Sequence, residues 1–311
     1  MAESKVVVYA ALAGNAAIAA VKFVAAGLTG SSAMLSEAVH SVVDTVDQLL
    51  LLLGGARAGK APDASHPFGY GLEAYFWGFV VALMVFLLGG AVSAYEGWHK
   101  LTHPEPSGRA GVSYLVLGVS ALFEAASFTV AYREYRKLAG GRRLGLLGFI
   151  KRSKDPNLFV TLLEDGAALT GLAIAALGVT GQLLGVAWAD AAASMGIGAL
   201  LVTVAAVLAN ETRSLIAGEA ADPVVVQAVR AALGDRAAAV SEVATLQLGP
   251  ERILVAVTLD MREGVDVERI AGELTRRVRE ADARVFRVYF RPAAGVTDAP
   301  APANTAPSAP A

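Results

Sequence analysis

Four ionisable residues, Glu37, His40, Asp44 and Asp47, fall inside the stretch Ser31–Gly55, SSAMLSEAVHSVVDTVDQLLLLLGG, which is otherwise mostly apolar and long enough to cross a membrane. A charge at mid-bilayer costs at least about 2.5–3.5 kcal/mol even on the lenient insertion scale. Such groups persist only with partners, protons or a bound cation. Their steps of 3, 4 and 3 place all four on one stripe of a helix. One imidazole and three carboxylates on a stripe make a cation site facing the interior of a bundle. The bland alternative is a helix lining a wet vestibule, its acids merely hydrated. A second cluster, Thr161, Glu164 and Asp165, stands at i, i+3 and i+4 in a later apolar run. Two consecutive acids inside a span are hard to explain structurally. Glu164 has a structural reading as partner to Lys22 or to a fourth-span group, and Thr161 has one in back-bonding to its own helix.

A zinc-like ion takes about four ligands in a tetrahedron. His40 and Asp44 on one helix, with Glu164 and Asp165 on another, offer two plus two. Imidazole and carboxylate suit Zn²⁺ and also Mn²⁺, Fe²⁺ or Co²⁺, so the oxygen-rich set argues against strict zinc selectivity.

The whole chain fits such a setting. Of 311 residues, 55% are hydrophobic and 17% charged. Soluble domains lie near 25% charged, so this is a polytopic membrane protein with a modest soluble part. The formal net charge of −2 argues against a nucleic-acid partner. Cysteine is absent, which excludes disulfides, thiolate metal sites and a cysteine nucleophile. The start, MAESKVVVYA, runs straight into the first span, and no cleaved signal peptide is read there.

Six spans are expected, near Val6–Leu28, Ala33–Gly55, Leu72–Tyr95, Val112–Tyr132, Leu158–Val179 and Ala191–Leu208. The first holds Asn15 and Lys22, both expected to be structural, and the fourth holds Glu124. The loop Arg133–Lys154 carries eight basic residues, whereas 29–32 and 180–190 carry no Lys or Arg. The positive-inside rule then makes both termini and the basic loop cytoplasmic.

The membrane part is expected over 1–220. Over 221–292 strand and helix patterns alternate: a helix at Val224–Leu233, strands at Val240–Leu248, Ile253–Asp260 and Val285–Phe290, and a second helix through Val267, Ile270, Leu274 and Val278. The order α-β-β-α-β predicts a small α+β sandwich. At about 70 residues it is marginal alone, and a dimer partner would help. The tail 293–311 is Pro/Ala-rich and reads as disordered.

The phrases SSAMLSEAVHSVVDTVDQ, HPFGYGLEAY, SKDPNLFVTLLEDGAALTGLAIA and LIAGEAAD resemble, in order, those of the cation diffusion facilitator family. They look nearest to its branch of zinc transporter nine type proteins. The resemblance runs from about residue 6 to about 291. It implies a dimeric six-helix transporter with a ferredoxin-like cytoplasmic domain, exporting divalent metal, usually zinc, in exchange for protons. The family's four ligands fall on His40, Asp44, Thr161 and Asp165. Thr161 departs from that pattern, and Glu164 is expected to replace the missing imidazole. Asp47, often Asn in the branch, is a second departure. The family often has another metal site in the loop after the second helix. Here Asp63 and His66 match part of it, with Tyr70 at the place of a second histidine, and a solvated loop histidine is the favoured reading. His99 and His103, beside Trp98, read as interfacial. Residues 221–292 contain no histidine, so a regulatory metal site there is not expected.

No HExxH, GxSxG or P-loop occurs, so an enzyme and an ATP-driven pump are both disfavoured. The expectation is a homodimeric secondary transporter in a bacterial inner membrane, with no cofactor, its cargo a divalent metal and its counter-ion the proton. The rival is a membrane metal sensor or scaffold that binds without turnover.

Overall fold

The computed structural model describes residues 2–103, 110–139, 145–233, 240–259 and 267–292. The chain divides into a helical unit up to Glu219, with which Gln247–Glu251 group, and a small α+β unit of Ala220–Leu246 and the residues from Arg252.

The helical unit contains α1 (Ala2–Thr29), α2 (Ser32–Ala58), α3 (Glu73–Met84), a π-helical stretch (Val85–Ala91) that runs into α4 (Val92–Thr102), α5 (Ala110–Ala139), the short α6 (Leu146–Ile150), α7 (Pro156–Leu183) and α8 (Ala189–Gly218). Five helical segments are long and apolar enough to cross a membrane, and the α1 stretch Asn15–Thr29 is a shorter apolar one. Their exteriors agree with that role. Leu115, Leu122, Val130, Leu177 and Leu184 are each at least 68% exposed, an apolar surface that lipid would cover.

Local chemistry sets where the helices start. Gly30, at φ 61°, makes the left-handed turn between α1 and α2, and the Ser31 side chain then caps α2 by accepting from the Met34 N–H. Asp155 caps α7 through the Asn157 N–H, with Pro156 in the first turn where its missing donor costs nothing. Small residues let helices approach. A Cβ on Gly198 of α8 would stand 2.7 Å from the Ala94 backbone nitrogen of α4. Only glycine permits that contact, the usual packing device of membrane helices. Hydroxyls join the same interface: Ser36 and Ser194 lie 2.6 Å apart, and Ser194 donates to the Ser93 carbonyl at 2.8 Å.

At the α1–α2 turn, the buried Asp190 at the start of α8 accepts from the Ser31 hydroxyl, the Ser32 N–H at 2.7 Å and the Ser32 hydroxyl at 3.1 Å, and pairs with Lys100 at 3.1 Å. Lys100 also donates to the Gly30 carbonyl. One carboxylate thus ties α2, α4 and α8 together at the end of the bundle remote from α1's first residue.

The small unit follows the expected order. It has α9 (Pro223–Ala232), β1 (Val240–Gly249), β2 (Arg252–Leu259), α10 (Val267–Ala281) and β3 (Val285–Pro292). The sheet order is β1-β2-β3. β2 and β3 run parallel, with Val255 opposite Val288 and Val257 opposite Phe290, and α10 makes the crossover that parallel strands require. Ile253, Val255, Val257 and Leu259 of β2 are buried against Val225 and Val229 of α9 and Leu274 and Val278 of α10.

Candidate metal site

Lys22 decides how the α2 stripe divides. Its ammonium is fully buried, 3.2 Å from Glu37 Oε2 and 2.7 Å from the Ser41 hydroxyl. Glu37 is therefore the partner of Lys22, and the structural reading of Glu164 as that partner does not hold. Asp44 and Asp47 are turned toward α7. His40 Nδ1 stands 3.2 Å from Asp44 Oδ1, one helical turn away. Asp47 and Glu164 are neighbours across the α2–α7 interface, with no hydrogen bond formed by either Asp47 oxygen. Asp165 accepts from the Ser127 hydroxyl of α5 at 2.7 Å.

A cavity of about 30 Å³ lies between α1, α2, α5 and α7. A water needs roughly 10–15 Å³ of such space, so the room suits a stripped ion or one or two waters. Asp44, Thr161, Glu164 and Asp165 line it, together with Glu124 and Ser127. His40 and Asp47 are not on its wall. His40 reaches the site through Asp44, and Asp47 through Glu164.

The polar atoms here lack ordinary partners. Both His40 ring nitrogens, Asp44 Oδ1, both Asp47 oxygens and Glu164 Oε1 are buried without a hydrogen bond. Buried polar groups are normally satisfied, and exceptions call for a specific cause. A cation ligated by these groups is such a cause. Among the described residues no three His, Asp or Glu side chains converge into a ready-made cage. Binding would need rotamer shifts or a small approach of α2 to α7.

Elsewhere the structure is conclusive about smaller points. Asp63 is already engaged: it accepts from Ser65, from the His66 N–H at 2.7 Å and from the Tyr70 hydroxyl at 2.7 Å, while the His66 ring stacks on Tyr70. These donors hold the Asp63 carboxyl well below the usual carboxylate range. The loop is built as an Asx turn, and a solvated His66 accords with that. His99 and His103 are exposed and stack on each other, their ring centres 4.9 Å apart.

The family model described as the cation efflux transmembrane domain matches residues 8–217. The chain belongs to the cation efflux family. Among its relatives, the proton-coupled zinc antiporter SLC30A9, mitochondrial, of Xenopus laevis is 32% identical over 267 residues, 82% of this chain and 47% of that protein. The Homo sapiens protein of the same name is 36% identical over 208 residues, 66% of this chain and 36% of that protein. Metal tolerance protein C4 of Arabidopsis thaliana is 34% identical over 209 residues, covering 67% and 46% of the two chains. The chain thus spans about half or less of the length of these relatives.

For this cation efflux protein, the resemblance found in the helix-two and helix-five phrases is confirmed, and an enzyme is not indicated. Sequence reasoning left Glu124 unassigned and treated Ser127 not at all. Both lie on the cavity wall, and only the packing of α5 on α7 could reveal it. Lys22 was expected to be structural, and it pairs with an acid of the stripe itself, Glu37.

Proposed function

We propose that the chain is a secondary transporter of divalent metal, zinc first, with manganese, iron or cobalt as alternatives. The observation that carries this is the cavity walled by Asp44, Glu164 and Asp165, with His40 adjoining and with Asp44 Oδ1, Glu164 Oε1 and both His40 ring nitrogens buried without a hydrogen bond, inside a cation efflux domain. Deprotonated His40, Asp44, Glu164 and Asp165 take the ion, with Thr161 and Asp47 at the margin. Protons compete for the same groups, because metal ligands must be deprotonated to bind, and a proton gradient can then drive release. A carboxylate-rich set stays competent to lower pH than one with two histidines. The relatives named as proton-coupled zinc antiporters support both the ion and the coupling.

The eight basic residues of Arg133–Lys154 support an arrangement with both termini cytoplasmic and six spans, α1 included. We place the protein in a bacterial inner membrane. The α9-β1-β2-α10-β3 unit is assigned as a ferredoxin-like cytoplasmic domain, and its small core supports a homodimer. The rival reading, a metal sensor or scaffold, predicts binding without turnover.

Reconstituted protein in liposomes, challenged with Zn²⁺, Mn²⁺, Fe²⁺ and Co²⁺ under a set pH gradient, tests the proposal. Gradient-driven zinc flux is the expected outcome. Saturable binding with no flux would favour the sensor, and flux of monovalent ions alone would refute the choice of cargo.

A further inference from the structure

The Lys22–Glu37 pair does not look like a stability device. A buried ion pair is commonly no better for folding than two apolar side chains of the same size, since desolvation offsets the attraction. This pair is also incomplete. Glu37 Oε1 is fully buried with no hydrogen bond. It occupies the space that Gly171 of α7 leaves open, where a Cβ would collide with that oxygen. A buried carboxylate oxygen without a donor is a group that a cation can satisfy.

Its level in the bundle says which ligand. On α1 the central cavity is lined by Asn15 and Ile18, and on α2 by Ser41 and Asp44. A second cavity, about 460 Å³, lies toward the α1–α2 turn, lined by Phe23, Gly27 and Leu35 with Glu96, His99 and His103 of α4. Lys22 and Glu37 stand between the two sets on both helices. Glu37 is one turn beyond His40, and the Lys22 ammonium is bonded to Ser41 on the central cavity's wall.

We infer that Lys22 and Glu37 form the septum between the two cavities on the cation's path, with Glu37 a transfer ligand and Lys22 a tethered cation that holds Glu37 between passages. The inference rests on the transport reading above. With Lys22 seated, its ammonium repels a divalent ion at His40 and Asp44 and closes the route. When Lys22 swings from Glu37, the freed carboxylate receives the ion from the central site and hands it toward the larger cavity, where Glu96, His99 and His103 line the wall together with Lys100. The charge beside Glu37 changes little in sign throughout, since one cation replaces another.

Lys22→Met alone leaves a buried unpaired carboxylate and can fail to fold. The double variant Lys22→Met/Glu37→Gln removes both charges at nearly constant volume. The test compares it with wild type by calorimetry of Zn²⁺ binding in detergent and by Zn²⁺ flux in liposomes. Expected is Zn²⁺ binding no weaker than wild type with flux slowed about ten- to hundredfold, the size of one charged hydrogen bond lost from the transit state. Wild-type-like flux in the double variant overturns the inference while leaving the transport reading intact. Loss of binding together with flux also overturns it, because the pair would then shape the central site. A wild-type protein that binds zinc but does not move it sinks the transport reading itself, and the inference with it.

Discussion

The two units treat polarity in opposite ways. In the small unit, burial mostly follows polarity: Ile253, Val255 and Val257 alternate with half-buried residues along β2, the polar Thr258 being an exception, and α10 buries Leu274 and Val278. In the bundle they conflict along the inward face of α2 and where α7 meets it. Lys22, Glu37, His40, Asp47, Glu164 and Asp165 are all buried within the apolar helices. Local consistency is what folding asks of a sequence, and departures mark places where function sets the residue. The contrast is what the proposed metal site in the bundle would produce.

The largest effect that can break this contrast is at the cavity acids. Asp44→Ala or Asp165→Ala should abolish zinc flux in liposomes while the variant still elutes as folded protein. Retention of near wild-type flux by either would remove that residue from the site. Next in size is Glu164→Gln, expected to weaken zinc binding about ten- to hundredfold, as for loss of one charged contact. Thr161→Ala should cost far less by the same calorimetry. A reversed order would hand the fourth position to Thr161 and make Glu164 structural.

A gentler test uses Asp63, outside the membrane-spanning segments. Hydrogen bonds from Tyr70, Ser65 and His66 hold its pKa below the ordinary 3.8. A depressed carboxylate stabilises the loop fully above that ordinary value and loses the effect as pH falls below it. Loop order should thus be flat from neutral pH down to about 4. Tyr70→Phe should move the Asp63 titration upward, read from its carboxyl carbon resonance, and zinc flux should not change. An unmoved titration would mean the Tyr70 contact is absent in solution. The smallest effect is expected from ending the chain after Glu219. Dimer formation should weaken by light scattering, with zinc affinity of the bundle changed by no more than about twofold, the scatter of independent sites. Tight zinc binding by the removed part would contradict its lack of imidazole and thiol ligands.

Much of this was legible beforehand. Apolar runs marked the membrane helices, and alternation at Ile253, Val255, Val257 and Leu259 marked β2. Spacing also showed which residues share a helix face. It could not show what that face meets. Glu37 stands in register with His40 and Asp44, yet its partner is Lys22 on α1, fixed by how two helices pack. Ser127 and Glu124 reach the cavity for the same reason. Asp190, read as the end of a short loop, became a four-group knot because three chain segments distant in sequence arrive there together. α8 runs to Gly218, ten residues past the expected Leu208, because NETRSL is polar but still helix-forming. Hydropathy reports where lipid ends, which need not be where a helix ends.

The Asp190 knot makes α2 a lever. Its fulcrum is Ser32, and His40 lies eight residues along, an arm of about 12 Å at 1.5 Å per residue. Tilting that arm by about 10° would carry the imidazole through about 2 Å, whereas metal–ligand distances tolerate only about 0.2 Å. A bundle clamped at one end can therefore assemble or dismantle a coordination shell with a tilt too slight to disturb its apolar exterior.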